Sequence, residues 1–307
     1  MSPSSRTASQ SSILLFVLLP LLALAAPPLP AGEAVVIAEV AKLLPSGEDE
    51  NDWFGRQLSL DGDRLAIGAS HDDDQGERSG SAYIFERSID GNWSQVAKII
   101  PLDGQSFDAF GEAVSLDGDQ LAVGAIFADD NETSSGSAYV FERDGDGQWL
   151  QAAQIRPSDP DPTIYDRFGM SVALDGDRLV VSAVPYLGLA LGSAYVFERD
   201  AAGNWSEVSK IVASDAELGD NFGDSISLDG DRLAVGAPLD NDFGQGSGSA
   251  YAFERSKDGS WSEVSKILPL EGDLLENFGR SVALDGDHRR STRGRRIGLR
   301  LRTERGR

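Results

Sequence analysis

The chain restates one unit of about 56 residues, and that repetition limits its fold more than any other feature. Tyr83, Tyr139, Tyr195 and Tyr251 are each 56 apart, as are Trp93, Trp149, Trp205 and Trp261, and Gly80, Gly136, Gly192 and Gly248. Phe-Gly pairs begin at Phe54, Phe110, Phe168, Phe222 and Phe278, spaced 56, 58, 54 and 56. The third copy therefore gains two residues before its Phe-Gly and loses two in a later loop, which puts length changes in connections rather than in strands. A fixed period of this size means an array, propeller or solenoid in which each copy needs its neighbours to cover its apolar faces. The copies count as one folded body.

Each copy reads as four strands. The first runs through Leu58-Ser59-Leu60 and its equivalents; Asp61-Gly62 is expected to supply the positive-φ residues of a tight hairpin; the second is Arg64 to Ala69. The third is Ser81 to Arg87, with Tyr83 and Phe85 on one side and Ala82 and Ile84 on the other. Asp90-Gly91 turns the chain, and Trp93 opens the fourth strand. Apolar character on both sides of a sheet suits packing between two other sheets, as in a propeller blade. Small residues such as Ala122 and Gly124 would permit close approach where blades converge. The expected fold class is all-β, a propeller of four-stranded blades with about five repeats.

The two ends depart from the period. Arg6, the apolar run Ile13 to Ala26, and Ala23-Leu24-Ala25 as a small-x-small cleavage motif read as a secretory signal peptide over residues 1–25. Residues 36–44, Val36 to Leu44, align with Ser94 to Ile100 and Pro101 as the last strand of a repeat whose earlier strands are missing. The propeller body is thus assigned to residues 26–287, and its first strand is expected to dock on the incomplete fifth copy, removing exposed edges. After Asp285-Gly286-Asp287 the apolar alternation stops, and residues 288–307 form an Arg-rich tail. Codons for Gly-Ser-Gly-Ser-Ala-Tyr-Val, GGA TCG GGC TCC GCC TAC GTN, read from their third base as Ile-Gly-Leu-Arg-Leu-Arg, the sequence of Ile297 to Arg302. The tail is read as a frameshifted fifth repeat; the alternative is a native basic tail.

Charge narrows the partners. The net charge is −23, and nine arginines against one glutamate in residues 288–307 leave about −31 for the rest. Such a body repels phosphate backbones and anionic membranes, so no nucleic-acid partner and no membrane span after signal removal are expected. The absence of cysteine rules out disulfides, thiol catalysis and cysteine metal sites.

Phe222-Gly223 followed by Gly236-Ala237-Pro238 resembles the FG-GAP repeat, the unit that builds the seven-bladed β-propeller of integrin α chains. The bacterial form is the nearest in pattern, with its short Asp-Gly-Asp hairpin and Gly-Ser-Ala-Tyr-Val-Phe segment. The resemblance covers residues 36–287. Gly68-Ala69-Ser70 and Gly124-Ala125-Ile126 lack the proline, and the third copy has Ser182-Ala183-Val184 there. The resemblance implies a propeller and, by way of integrins, ligand binding and adhesion, although propellers host many functions.

Integrin-like repeats often carry calcium, which needs six to eight converging oxygens. Asp61-Gly62-Asp63 is too short to wrap an ion. The longer acidic loops supply the calcium candidates Asp72, Asp74, Asp129, Asp240 and Asp242, with solvated loops as the alternative. The third copy has Pro185-Tyr186-Leu187-Gly188 at this place, so calcium cannot be required in every blade. The repeated tryptophans read as blade-packing residues. Trp53 stands where other copies have Ala109, Arg167, Asn221 and Asn277, and is either an exposed contact residue or a filler at the ring closure. With only His71 and His288, no histidine triad or histidine metal site is supported. No catalytic and no cofactor-binding residues are assigned, because every carboxylate pair obeys the repeat. The expectation is an exported, non-catalytic module, secreted, periplasmic or at the cell surface, that binds a protein or polysaccharide partner. The alternatives are a propeller-type hydrolase or lyase, and a truncated gene relic.

Overall fold

The computed structural model describes residues 13–14, 41–47, 51–128, 135–159, 166–188, 190–270, 276–284 and 299–301. They are all-β apart from one 3-10 turn, Tyr186–Gly188. A short ladder pairs β1 (Ile13–Leu14) with β2 (Lys42–Leu43). Blade one comprises β3 (Leu58–Asp61), β4 (Arg64–Ala69), β5 (Ser81–Arg87) and β6 (Trp93–Ile99). Blade two comprises β7 (Phe110–Asp117), β8 (Gln120–Ala125), β9 (Ser137–Arg143) and β10 (Trp149–Ile155). Blade three comprises β11 (Phe168–Asp175), β12 (Arg178–Ala183), β13 (Ser193–Arg199) and β14 (Trp205–Ile211). Blade four comprises β15 (Ser225–Asp229), β16 (Arg232–Ala237), β17 (Ser249–Arg255) and β18 (Trp261–Ile267). Each blade is an antiparallel meander in chain order. After it, β19 (Val282–Leu284) pairs with β20 (Leu299–Leu301).

The two middle strands of every blade are buried on both faces, and the residues divide by size. Leu65, Ile67, Tyr83 and Phe85 face backwards in one cluster with Phe54. Ala66, Ala82 and Ile84 face forwards and pack under Phe110, Val114, Leu121, Tyr139 and Phe141 of blade two. The same pairing of a small forward face with a large backward face recurs between blades two and three and between three and four. Within each blade the Phe of Phe-Gly meets the Tyr and Phe of the third strand edge-on, as in Phe110 with Tyr139 at 5.5 Å and Phe141 at 5.9 Å between centroids. Aromatic pairs favour this geometry.

The Phe-Gly pair is a turn with a steric purpose. Residues 53 to 56 close an i to i+3 bond, Arg56 N to Trp53 O, and the equivalents recur at Ala109, Arg167, Asn221 and Asn277. Gly55 sits at φ +91° in the third turn position, a type II requirement that glycine meets without strain. The carbonyl of each such glycine then enters the preceding blade: a Cβ on Gly124 would lie 1.9 Å from the Gly169 oxygen, and one on Gly236 1.8 Å from the Gly279 oxygen. The two halves of the repeated motif are therefore one joint across two blades. In blade three the receiving residue is Ser182, whose hydroxyl accepts the Ser171 N–H at 2.9 Å.

The hairpin at the opposite end differs in detail from the sequence reading. Asp61 pairs with Arg64, so the loop is Gly62-Asp63, and only Gly62 has positive φ, +57°. This glycine-first loop matches type II′. Asp61 stays in the strand, where its carboxylate accepts the N–H of Gly118 in the next blade at 2.8 Å. Asp117 and Asp175 do the same for Gly176 and Gly230. The outer edge strand carries a bulge beside Val96, Val208 and Val264, which breaks the regular ladder that an added strand would need.

The N-terminal segment keeps the period. Leu43, buried, packs on Phe54 and Leu65, and it stands 56 residues before Ile99, which packs on Phe110 in the same way. Ser46 N donates to Gln95 Oε1 at 2.8 Å, and the same bond recurs from Leu102 to Gln151, Ser158 to Glu207 and Ser214 to Glu263. The described backbone partner of Lys42–Leu43 is Ile13–Leu14; pairing with the fifth copy is not seen among the described residues. On the inner strand of blade one, Leu58 and Leu60 are 45% and 46% exposed, whereas Val114 and Leu116 of blade two are 8% and 6%. The rest of the signal-peptide run and most of the Arg-rich tail lie outside the described residues.

Candidate functional site

Strand direction gives the array two ends. The tight hairpins lie at one end. At the other lie the loops between second and third strands and the exits from the fourth strands, which contain every Phe-Gly turn. Among the described residues, all eight non-glycine residues with positive φ belong to this Phe-Gly face: Asn51, Trp53, Arg78, Phe107, Ala109, Arg167, Asn221 and Asn277. Left-handed backbone costs a β-carbon residue roughly 1–2 kcal/mol, and such strain concentrates at functional sites. Seven exposed large apolar residues, Trp53, Leu102, Phe107, Tyr186, Leu218, Phe243 and Leu270, are on this face as well, against Ile89 in a turn at the other end. The hairpin face is charged instead: Arg143 reaches Glu86 at 3.6 Å and Arg255 reaches Glu198 at 2.8 Å across blade borders, and each also meets an aspartate of its own blade's hairpin, Asp119 at 3.8 Å and Asp231 at 4.0 Å.

The acidic loops form the first site. In blade one the buried Asp72 carboxylate accepts from Ser81 and Tyr83 hydroxyls at 2.8 Å and lies 2.8 Å from Lys98 Nζ, which Asp74 also contacts. In blade four Asp240 accepts from Ser249 at 2.7 Å and Tyr251 at 2.9 Å, and Lys266 Nζ lies 2.8, 2.8 and 2.6 Å from Asp240, Asp215 and Asp242. Blade three has Pro185-Tyr186-Leu187-Gly188 in place of the acidic loop, and there Asp159, from the preceding exit loop, holds Lys210 at 2.7 Å and Tyr195 at 2.9 Å. Blade two has Ala128 and Gln154, neither charge, and Gln154 donates to the Tyr139 hydroxyl at 3.0 Å.

These contacts set the charges. Burial opposes ionisation of Asp72 and Asp240, yet the lysine, the tyrosine and serine hydroxyls and a backbone N–H outweigh it, holding both carboxyls below their ordinary range. Lys98 and Lys266 are held protonated above the usual lysine range by their carboxylates, against burial. Tyr83 is pushed up to about 12, first by burial and further by ionised Asp72.

Of the calcium candidates, Asp72 and Asp74 thus converge on Lys98, and Asp240 and Asp242 on Lys266; Asp129 lies outside the described residues. The donor set does not fit calcium, because an ammonium sits at the point of convergence and hydroxyls take further lone pairs. Among the described residues no group of three or more histidine, aspartate or glutamate side chains is placed for a metal ion. Lys98, Lys210 and Lys266 were absent from the sequence reading, although the pairing of a charged loop with lysine and of Ala128 with Gln154 was visible within the repeats.

The second site is the mouth of the axis. The residue after Phe-Gly is Arg56, Glu112, Met170, Asp224 and Arg280 in successive copies, a column that the repeat does not keep. Arg56 Nη2 lies 3.5 Å from the Oε1 of buried Glu112. Burial raises the pKa of Asp224 against the pull of Arg280, Arg167 and Arg56. Arg167 donates to the Val184 carbonyl at 2.8 Å and lies over the Tyr186 ring at 5.5 Å.

Trp53 lies beside this column and is 42% exposed. His71 stacks on it at 3.5 Å and 19°, and the Arg56 guanidinium lies 4.7 Å from its ring centre. Burial, then Arg78 and Arg56, lower the His71 pKa, so the imidazole is neutral at pH 7. The repeated tryptophans are packing residues: Trp149, Trp205 and Trp261 lie against the three inter-blade cores. Sequence reasoning also missed Asp52, Asp108, Asp166 and Asp220, buried two residues before each Phe, although their spacing was legible.

No curated protein matches the sequence. Among 204 matching solved chains is the crystal structure of a protein from Lactobacillus plantarum, at 18% identity and a TM-score of 0.50. The match covers 77% of this chain and 63% of that one, and at this identity it speaks to the fold alone. The FG-GAP repeat model matches residues 37–85, 93–141, 149–197 and 205–253, each match running from the outer strand of one unit to the third strand of the next. With those four matches laid over four interlocked Phe-Gly joints, the chain belongs to the FG-GAP repeat family.

Proposed function

We propose that this propeller-like array is an exported, non-catalytic module that binds a protein or polysaccharide partner, outside the cell or at its surface, through the Phe-Gly face. The observation that carries this reading is that, among the described residues, every strained non-glycine residue and the exposed aromatic loop residues gather at one end of the blades. Tryptophan, tyrosine and arginine, which dominate binding hot spots, are grouped there as Trp53 with Arg56 and Tyr186 with Arg167. Export rests on the N-terminal apolar run and its cleavage motif. No helix among the described residues is long and apolar enough to cross a membrane.

A second reading, a hydrolase or lyase acting at the axis, draws on the non-repeated column from Arg56 to Arg280. Its acids speak less for it, since Glu112 is buried against Arg56, and His71, the described histidine, is stacked on Trp53.

The test uses the secreted chain with isolated cell-surface proteins and, separately, cell-surface polysaccharides. Trp53→Ala with Tyr186→Ala is expected to abolish retention by one of the two fractions. Trp53→Ala installs the residue that blade two carries at that position. Arg143→Gln on the hairpin face is expected to leave retention unchanged. Retention that ignores the first pair of changes, or that needs Arg143, would sink the proposal; turnover of either fraction would favour the enzyme reading.

A further inference from the structure

The two ends of the array carry opposite sides of the same seam. Beyond blade four, β19 lies on that blade by its backward side: Val282 is buried, and Leu284 N donates to Ser227 Oγ at 2.9 Å. Its forward side, Ser281 and Ala283, is exposed. At the other end, the backward side of blade one is covered over its outer part, where Leu43 packs with Phe54 and Leu65, and bare over its inner strand, where Leu58 and Leu60 are about half exposed. Leu43 holds the place of a preceding blade's outer strand. What blade one lacks is a preceding inner strand, and β19 is an inner strand.

The natural occupant of such a surface is already visible inside the chain. Ser281 to Asp287 repeats Ser171 to Asp177 of blade three without a change. In blade three this stretch receives the inner strand of blade four: Ser171 Oγ accepts the Ile226 N–H at 3.2 Å, Asp175 accepts the Gly230 N–H, and Ala173 shares a core with Ile226 and Leu228. Leu58 and Leu60 stand four and six residues after Phe54, as Ile226 and Leu228 stand after Phe222. The receiving edge and the element it receives are thus both present, at opposite ends of one chain, and in the single chain both stay exposed. Exposed apolar side chains that have a matching surface on another copy gain by burial there. Such a contact joins two different patches, so each copy in a pair keeps one end free for the next.

We infer that a second copy of this chain docks head to tail, with the Ser281 and Ala283 edge of one copy seated on Leu58 and Leu60 of the next, and Ser281 accepting the Leu58 N–H. This contact lies at the ends of the array, apart from the Phe-Gly face, and goes beyond the partner proposed there without depending on it.

The experiment is sedimentation equilibrium on the secreted chain over a wide range of concentration, at a salt level high enough to screen the repulsion between two acidic bodies. Mass is expected to rise with concentration. Leu58→Ser with Leu60→Ser disables one end and Ala283→Arg the other, and each is expected to weaken self-association at least about tenfold. None of these side chains is fully buried, so the melting temperature should hold within a few degrees. Mixed together, the two variants are expected to form a one-to-one pair, because each keeps the end that the other has lost. A monomer at every concentration, self-association that survives either change, or no pairing on mixing overturns the inference. A monomer whose melting temperature falls sharply on Leu58→Ser with Leu60→Ser overturns it in favour of a ring closed within one chain. Retention of cell-surface fractions is read separately and decides the binding proposal alone.

Discussion

The two ends of the blades are built from the same sixteen strands, yet they are made differently. At the hairpin end every loop is a short turn whose positive-φ positions are glycine, and the same aspartate tie recurs from Asp61 to Gly118, Asp117 to Gly176 and Asp175 to Gly230. At the Phe-Gly end the backbone plan is equally regular, but side chains diverge: tryptophan, alanine, arginine and asparagine share one left-handed position. One end maintains the array, and the other uses it. The lysine clusters lie between these roles, since they fasten the variable loops to the constant strands.

That contrast can be broken first at Lys266. Replacing it by alanine leaves Asp240 buried with no cation, and the expected loss is about 3 kcal/mol in urea unfolding. A loss under about 1 kcal/mol would mean that the loop cluster does not fasten the face. Blade two offers the reverse experiment: Ala128→Asp alone is expected to cost roughly 2 kcal/mol, and adding Gln154→Lys to recover most of it. Equal stability of single and double variants would show that the two positions are independent.

Alkaline pH sharpens the same point. The pKa of Tyr83 is about 12 in the folded chain and near 10.0 when unfolded, so its contribution is fully present below pH 10 and is lost as pH rises towards 12. The unfolding midpoint should fall across that window, and less so in Tyr83→Phe; identical profiles would remove Tyr83 as the cause. The smallest effect is expected at the hairpin end. Arg143→Gln breaks partly exposed pairs at 3.6 and 3.8 Å and should cost under about 1 kcal/mol in the same urea assay. A cost matching that of Lys266→Ala would erase the distinction between the ends.

The strands, their order and the two-sided burial were legible in the sequence because the period aligns copies, and alternation then assigns Tyr83 and Phe85 to one side and Ala82 and Ile84 to the other. The hairpin was misread by one residue, since Asp-Gly describes a loop equally well whether pairing stops at Leu60 or continues to Asp61. The candidate site was less legible. Acidic loops drew attention as metal ligands because their partner, Lys98 or Lys266, lies some two dozen residues away on an outer strand that looked merely solvated. The column after Phe-Gly escaped for the opposite reason: searching for what repeats passes over a position that does not, from Arg56 through Met170 to Arg280.

The glycine carbonyl seated in the neighbouring sheet has a bearing on how such genes grow. A blade cut out at its own borders would carry half of two couplings and complete neither. A duplication or deletion of 56 residues, wherever its ends fall, rejoins one half to another of the same kind. Lineages can therefore lengthen or shorten the array in whole steps without renegotiating any seam, while a single β-carbon at Gly124 or Gly236 would obstruct one outright.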